Sequence, residues 1–154
     1  MAKYAERTSV PVESSRGEIE KTLKRYGADA FMYGSDPDKA VIGFRMAGRM
    51  YRYTLPLPPL SDFAATPGGQ ERSLDAQEKV RDQVVRQRWR ALALVIKAKL
   101  EAVESGIVTL EDEFLAHTML PGGITVGEWA RPDIEQAYIS NKMPAQLLLG
   151  GPAQ

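Results

Sequence analysis

The sequence predicts an α+β fold, and three patterns lead to that prediction. Apolar residues recur at helical spacing near the N-terminus, a stretch of period two surrounds an Ala-Gly loop, and residues 74–105 contain neither proline nor glycine. In chain order we expect an N-terminal helix, a small antiparallel sheet with a β-hairpin, one long central helix and short C-terminal helices. With 154 residues, 44% of them hydrophobic, the chain can form one domain over residues 1–154, with a Pro/Gly-rich loop at about 56–72.

The N-terminal helix is predicted by Ile19, Leu23 and Tyr26, whose spacings of four and three place them on one helical face. Residues 15–18 (SRGE) have the form of a capping box, so the helix is expected to begin there. Gly27 is the expected stop, because glycine is the usual residue just after a helix C-terminus.

The sheet is predicted from a strand at residues 28–33, a tight turn at residues 35–38 (SDPD), and a hairpin. Residues 41–46 and 49–55 alternate with period two around the loop at residues 47–48 (AG). The hairpin is thus expected to be aromatic on one face and basic on the other. The expected register pairs Met46 with Arg49, Phe44 with Tyr51 and Ile42 with Tyr53 on one face, and Arg45 with Met50 and Gly43 with Arg52 on the other.

The long helix is predicted for residues 74–105, with Gly106 as its stop. Its apolar residues form two arcs, so we expect packing on both sides, with the N-terminal helix and sheet on one side and the C-terminal helices on the other. The first arc is Val85, Trp89, Leu92, Ile96, Leu100, Val103 and Ile107, and the second, of smaller residues, is Val84, Ala91, Val95, Ala98 and Ala102.

The C-terminal part is predicted to contain short helices separated by breaks. Thr109, with Asp112 three residues later, opens the first helix, which residues 121–123 (PGG) end. Residues 125–128 (TVGE) form a further capping box. Pro132 is expected to interrupt the helix that follows, with a new helical stretch at residues 134–139.

Charge is distributed unevenly along a chain that is neutral overall. Residues 1–100 contain 18 basic and 12 acidic side chains, whereas residues 101–154 contain 2 basic and 8 acidic ones. One interpretation is a basic surface for an anionic partner, with an acidic end that contacts a second protein. The other is that the two oppositely charged regions pair with each other inside the fold.

Several classes of chemistry lack the residues they need. The chain has no cysteine and a single histidine, His117, which excludes disulfide scaffolds, thiolate catalysis, zinc fingers and multi-histidine metal centres. Glu113 lies four residues before His117, but one histidine and one carboxylate are too few for a metal site. We expect a non-enzymatic protein without cofactors. Residues 1–10 lack an apolar signal region and the longest apolar run, residues 91–96, is too short for a bilayer, so we expect a cytoplasmic protein without a membrane segment.

Four segments carry a family resemblance: residues 18–28 (EIEKTLKRYGA), 41–49 (VIGFRMAGR), 86–107 (RQRWRALALVIKAKLEAVESGI) and 125–129 (TVGEW). The chain is similar in these segments to a family of small phage and prophage proteins. The resemblance implies a phage setting and no particular activity. The order of helix, strand, Arg-bearing hairpin and long basic helix also resembles, in outline, the core of phage single-strand annealing proteins.

The leading functional prediction is sequence-tolerant binding of single-stranded DNA or RNA in replication or recombination. Such binding needs several cations that converge on phosphates, and aromatic rings that stack on bases. Tyr51, Tyr53 and Trp89 are available as aromatic residues, but their periodicity favours packing in the core. The predicted phosphate-binding residues are Arg45, Arg49, Arg52, Arg86, Arg88 and Arg90.

The alternative is a protein-protein adaptor, or an inhibitor of a host or replisome protein. The acidic C-terminal third carries Trp129, Tyr138 and the leucines of residues 147–149, which are suited to a protein interface or to the second arc of the long helix. A bare hairpin edge and a helix with two apolar faces are also features that a second copy of the chain can cover, so the sequence is also compatible with a homo-oligomer.

Overall fold

Residues 8–144, which this computed structural model describes, contain four α-helices and one three-stranded antiparallel sheet. The fold is α+β, as predicted. None of the helices within this range is long and apolar enough to cross a membrane. The elements in chain order are α1 (Val12–Arg25), β1 (Ala30–Ser35), β2 (Lys39–Met46), β3 (Arg49–Pro56), a 3₁₀ turn (Leu60–Phe63), α2 (Leu74–Glu104), α3 (Leu110–Glu113), a second 3₁₀ turn (Leu115–His117) and α4 (Val126–Ser140).

The sheet has the strand order β1-β2-β3, and its hairpin has the predicted register. Asp36 closes the turn between β1 and β2, where its carboxylate accepts the backbone N–H groups of Asp38 and Lys39 at 2.8 and 2.9 Å. Ala47 and Gly48 both have positive φ, 51° and 75°, which is the conformation that a two-residue hairpin loop requires. The predicted pairs, including Phe44 with Tyr51, are therefore confirmed.

Helix α1 begins earlier than the capping-box pattern predicts. Its first residue is Val12, after Pro11, whose φ of −59° is already suited to a helix start. Ser15 lies inside the helix and is fully buried, so its hydroxyl does not cap the N-terminus. The C-terminal stop is as predicted, since Gly27 has a φ of +105° and its N–H donates to the carbonyl of Lys24.

Helix α2 supplies one wall of the hydrophobic core. Its N-terminus is capped by the Ser73 hydroxyl, which accepts the N–H of Ala76 at 3.2 Å, and Gly106 follows its end with a φ of +79°. Most of the first predicted arc is buried against α1 and the aromatic face of the sheet. The buried arc residues are Trp89, Leu92, Ile96 and Leu100.

The second arc of α2 is not covered by the C-terminal helices, which corrects the prediction. Ala91, Val95 and Ala98 are exposed, and the C-terminal part instead contacts β3 and the end of α2 near Lys99. Phe114, which follows α3, is fully buried, and its ring lies edge-on to Phe44 with ring centres 5.9 Å apart. The aromatic face of the sheet offers more apolar area than an alanine-rich helix face, so burial of Phe114 there is favoured.

Helix α4 runs without a break through Pro132, where the sequence predicts an interruption. A proline at this position removes the hydrogen bond to the carbonyl of Glu128, one turn earlier. Pro132 is exposed, so that carbonyl remains accessible to water. The capping box is as predicted, with Thr125 and Glu128 each accepting the other's backbone N–H.

Candidate nucleic-acid interface

Arg45 and Arg49 of the hairpin each form an ion pair within the chain. The Nε of Arg45 lies 2.8 Å from Asp29, and the Nη1 of Arg49 lies 3.1 Å from Glu111. The hydrogen bond from Arg45 lowers the pKa of the Asp29 carboxyl. All four side chains are about half exposed or more, so these pairs are weak and a competing phosphate can break them.

Arg52 is more firmly engaged and holds the start of α4 against β3. Its Nη2 donates to both carboxylate oxygens of Glu128, at 2.7 and 2.6 Å, and its Nη1 donates to the carbonyl of Gly123 at 3.1 Å. The pKa of the Glu128 carboxyl is lowered, first by the backbone N–H of Thr125 and further by Arg52. Arg52 thus connects two elements distant in sequence.

The three arginines of α2 also have partners within the chain. Arg86 donates to the Oε1 of Gln83 at 2.6 Å, Arg88 donates to the carbonyl of Pro56, and Arg90 pairs with the carboxylate of Glu18 on α1. These contacts join α2 to the end of β3 and to α1.

The six predicted arginines do not form one patch. Arg45 and Arg52 lie on the face of the sheet that points away from α2, whereas the arginines of α2 lie on the opposite side of the sheet. The predicted stacking residues Tyr51, Tyr53 and Trp89 are buried in the core, in agreement with their periodicity. Base stacking on these three rings is therefore blocked by the fold itself.

A different set of cations does converge, in a cleft between α1 and α2. This α1–α2 cleft is lined by Glu18, Lys21, Thr22, Arg25 and Lys97, and has a volume of about 250 Å³. Within residues 8–144, neither Lys21 nor Lys97 has a carboxylate oxygen within 4.0 Å of its Nζ.

The charge balance of the α1–α2 cleft is positive. Its one acid, Glu18, is already paired with Arg90. Arg25 is only loosely paired, at 3.9 Å from Glu101, and Lys21 and Lys97 project into solvent. The lining of the cleft therefore carries a net positive charge, which favours an anion that is small enough to enter.

Lys21, Arg25 and Lys97 were not among the residues predicted from the sequence. One signal pointed towards Lys97, because Lys79, Arg86, Arg90 and Lys97 follow one another at spacings of seven, four and seven on one line of a helix. The contribution of α1 depends on how the two helices pack, which the pattern of a single helix does not contain.

The outer face of the sheet carries a group of apolar residues beside its arginines. A cleft of about 420 Å³ on this face is lined mainly by Met32, Val41, Gly43, Met50 and Met119, and we call these residues the outer apolar face. Gly43 gives Met32 room, because a Cβ at position 43 would lie 3.3 Å from the methionine Cε. The side chain of Met32 is 59% exposed.

Glu113 and His117, the pair considered for a metal site, are each engaged elsewhere. The Glu113 carboxylate accepts from Lys99 at 2.7 Å, and the His117 ring stacks on Tyr53 with ring centres 3.7 Å apart. Among residues 8–144, no group of three or more His, Asp or Glu side chains is arranged to hold a metal ion. Burial lowers the pKa of the His117 imidazole.

This depressed pKa predicts a pH-dependent stability. His117 binds a proton less readily in the folded protein than in the unfolded chain, where it titrates near its ordinary pKa of 6.5. We expect the free energy of unfolding to fall as pH drops below about 6.5. The variant His117→Phe, which keeps an aromatic ring on Tyr53, should lose this dependence between pH 7 and pH 5. Denaturant titrations of both proteins at each pH measure it, and parallel profiles would contradict it.

The acidic C-terminal third exposes two large aromatic side chains on α4. Trp129 is 45% exposed and Tyr138 is 87% exposed. The leucines at 147–149, which the sequence links to the same interface, lie outside the described residues. The two positions are nine residues apart and therefore lie on opposite sides of the helix, and each exposed aromatic side chain is suited to contact with another protein.

Comparison of the chain with protein-family models, with curated proteins and with solved structures finds no match.

Proposed function

We propose that this chain is a non-enzymatic accessory protein that binds the phosphate backbone of single-stranded nucleic acid. The observation that supports the proposal is the α1–α2 cleft, where Lys21, Arg25 and Lys97 converge without a free carboxylate among them. The outline resemblance to the core of phage single-strand annealing proteins suggests a role in replication or recombination.

Each feature of the α1–α2 cleft is suited to a phosphate. Lysine ammonium groups act as point charges for phosphate, and the Arg25 guanidinium adds hydrogen-bond donors. A gap of about 250 Å³ between two helices admits a phosphate of a single strand, whereas the phosphates of a rigid duplex lie on a broad cylinder. With the core aromatics buried, contacts to the backbone rather than to bases make the binding tolerant of sequence.

The six arginines predicted from the sequence relate to this proposal in different ways. Arg90 adjoins the cleft through Glu18, and Arg86 lies one turn earlier on the same line of α2. Arg45 and Arg49 have exposed ion pairs that a phosphate can replace. Arg52 and Arg88 remain predicted contacts.

The first test is the double variant K21E/K97E, which reverses the charge of the α1–α2 cleft. The salt dependence of binding is the slope of log K against log salt concentration. For a single strand, we expect the magnitude of this slope to decrease by about 0.7 for each phosphate contact that is lost. Affinity at low salt should fall by about tenfold or more. Fluorescence anisotropy with a labelled single strand and a labelled duplex, each at low and at physiological salt, measures both quantities.

The matched control is K39E/K142E, which makes the same charge change at two exposed lysines away from the cleft. It should reduce affinity much less than K21E/K97E does. Equal losses in the two variants would show a long-range charge effect and remove the cleft from the proposal. Absence of binding by the natural chain even at low salt would refute nucleic-acid binding altogether.

A protein-protein adaptor or inhibitor is the second candidate, because Trp129 and Tyr138 are exposed on α4. This alternative predicts no salt-sensitive affinity for nucleic acid. It also predicts that loss of the two aromatic side chains, in W129A/Y138A, abolishes binding to the partner without changing the fold. The anisotropy titration therefore separates the two candidates directly.

A further inference from the structure

Within residues 8–144, β1 is an edge strand of the sheet that no other strand covers. The other edge is covered near the start of β3, where Thr118 bridges Tyr51 and the N–H of Met119 donates to the carbonyl of Met50 at 2.8 Å. Within residues 8–144, β1 pairs with β2 and with no other strand. A strand in this position presents unpaired N–H and C=O groups to its surroundings.

The register shows which backbone groups of β1 are free. The N–H of Asp36 donates to the carbonyl of Lys39 at 2.9 Å, which makes these residues a hydrogen-bonded pair of the antiparallel ladder. Such pairs alternate along the strands, so Met32 and Gly34 also direct their backbone groups towards β2. The alternate residues of the strand are Phe31, Tyr33 and Ser35. Their backbone N–H and C=O groups point away from β2, towards the open edge of the sheet.

The sequence of β1 has none of the features that usually protect an edge strand. Proteins commonly place charged residues, proline or a bulge at such edges to prevent pairing with another chain. The strand reads AFMYGS, which contains no charge and no proline over six residues. Its Met32 is 59% exposed at the border of the outer apolar face.

We propose that two copies of this chain pair through β1, in antiparallel orientation, to form one continuous six-stranded sheet. The two-fold axis passes between Tyr33 and the partner's Tyr33, so that each free backbone group of the strand meets a complementary group. In this register Phe31 lies opposite the partner's Ser35. Met32 lies opposite the partner's Gly34, on the same side of the sheet as the outer apolar face.

Side-chain size supports this register. A Cβ at Gly34 would have no heavy atom within 4 Å, so the space above this residue is open. The exposed Met32 of the other copy fills that space, and the two outer apolar faces become continuous. Because the axis is perpendicular to the sheet, both helical layers lie on the same side of it.

The oligomeric state of the full chain tests the proposal. Sedimentation velocity should show the mass of two chains, and Met32→Lys should shift the assembly to monomer with at least a tenfold rise in the dissociation constant. The control is Met143→Lys, the same substitution at a methionine that is 64% exposed and distant in sequence. A natural chain that stays monomeric, or a dimer that responds equally to both substitutions, would overturn the proposal.

Disulfide formation tests the register itself, since the natural chain has no cysteine. The variant M32C/G34C places each thiol opposite one of the partner chain, and a covalent dimer should form under oxidising conditions. The control variant M32C/S35C places its two cysteines on opposite faces of the strand and should yield far less covalent dimer. Equal yields would contradict the register.

Discussion

Replacing Phe114 with alanine is expected to lower the free energy of unfolding by about 3–5 kcal/mol. The ring is fully buried and has aromatic neighbours on the sheet at centre-to-centre distances of 5.9 Å (Phe44), 5.7 Å (Tyr51) and 6.3 Å (Tyr53). Its loss leaves a cavity between the sheet and the segment after α3, and this segment has few other apolar contacts with the core. Denaturant titration with circular dichroism measures the change.

The neighbouring residue provides the control. Leu115 is 52% exposed, so Leu115→Ala should change the free energy of unfolding by no more than about 0.5 kcal/mol. Hydrogen exchange adds a local readout, because amides near Thr118 that bond to β3 should lose protection in Phe114→Ala. A loss in Phe114→Ala as small as that of Leu115→Ala would show that Phe114 does not anchor the C-terminal part.

Replacing Arg52 with alanine is expected to cost about 1–3 kcal/mol and to release the start of α4 from the sheet. The side chain is only 25% exposed and connects β3 to both Glu128 and Gly123. Removal leaves the Glu128 carboxylate without its cation, although Thr125 still donates to it. Hydrogen exchange across α4, together with the free energy of unfolding, measures both effects.

The matched control is Arg45→Ala, at the diagonally adjacent position of the same outer sheet face. Arg45 and Asp29 are 49% and 64% exposed, so this substitution should cost no more than about 1 kcal/mol. Equal effects of the two substitutions would contradict the anchoring role of Arg52. The difference also matters for binding experiments, because a charge reversal at Arg52 disturbs the fold whereas one at Arg45 leaves it intact.

The fold was largely predictable because its main elements are encoded by short-range patterns. The alternation around Ala47 and Gly48 specified the hairpin register, and the absence of proline and glycine specified α2. The errors occurred where two local rules competed. The capping-box pattern at Ser15 was overridden by burial of that side chain, and the continuity of α4 through Pro132 was permitted by solvent exposure.

The candidate site was predictable only in its residue type. Sequence reasoning identified a basic region, but it did not show that Arg52 and Arg90 are matched by Glu128 and Glu18, which lie more than 70 positions away. Sequence reasoning also did not show that Lys21 and Lys97 line the same cleft, because the two residues lie on different helices. Unpaired charge is a property of the packed chain, and it depends on distances between residues remote in sequence.

The sequence by itself determined which segments form helices and strands, because hydrophobic period and turn residues act over a few positions. It also determined the buried arc that contains Trp89 and Ile96. Only the tertiary structure decided that Ala91, Val95 and Ala98 of the second arc stay exposed and that Phe114 joins the sheet. The tertiary structure alone also decided which basic side chains remain without a carboxylate partner. Burial and ion pairing depend on how the elements pack rather than on any single element.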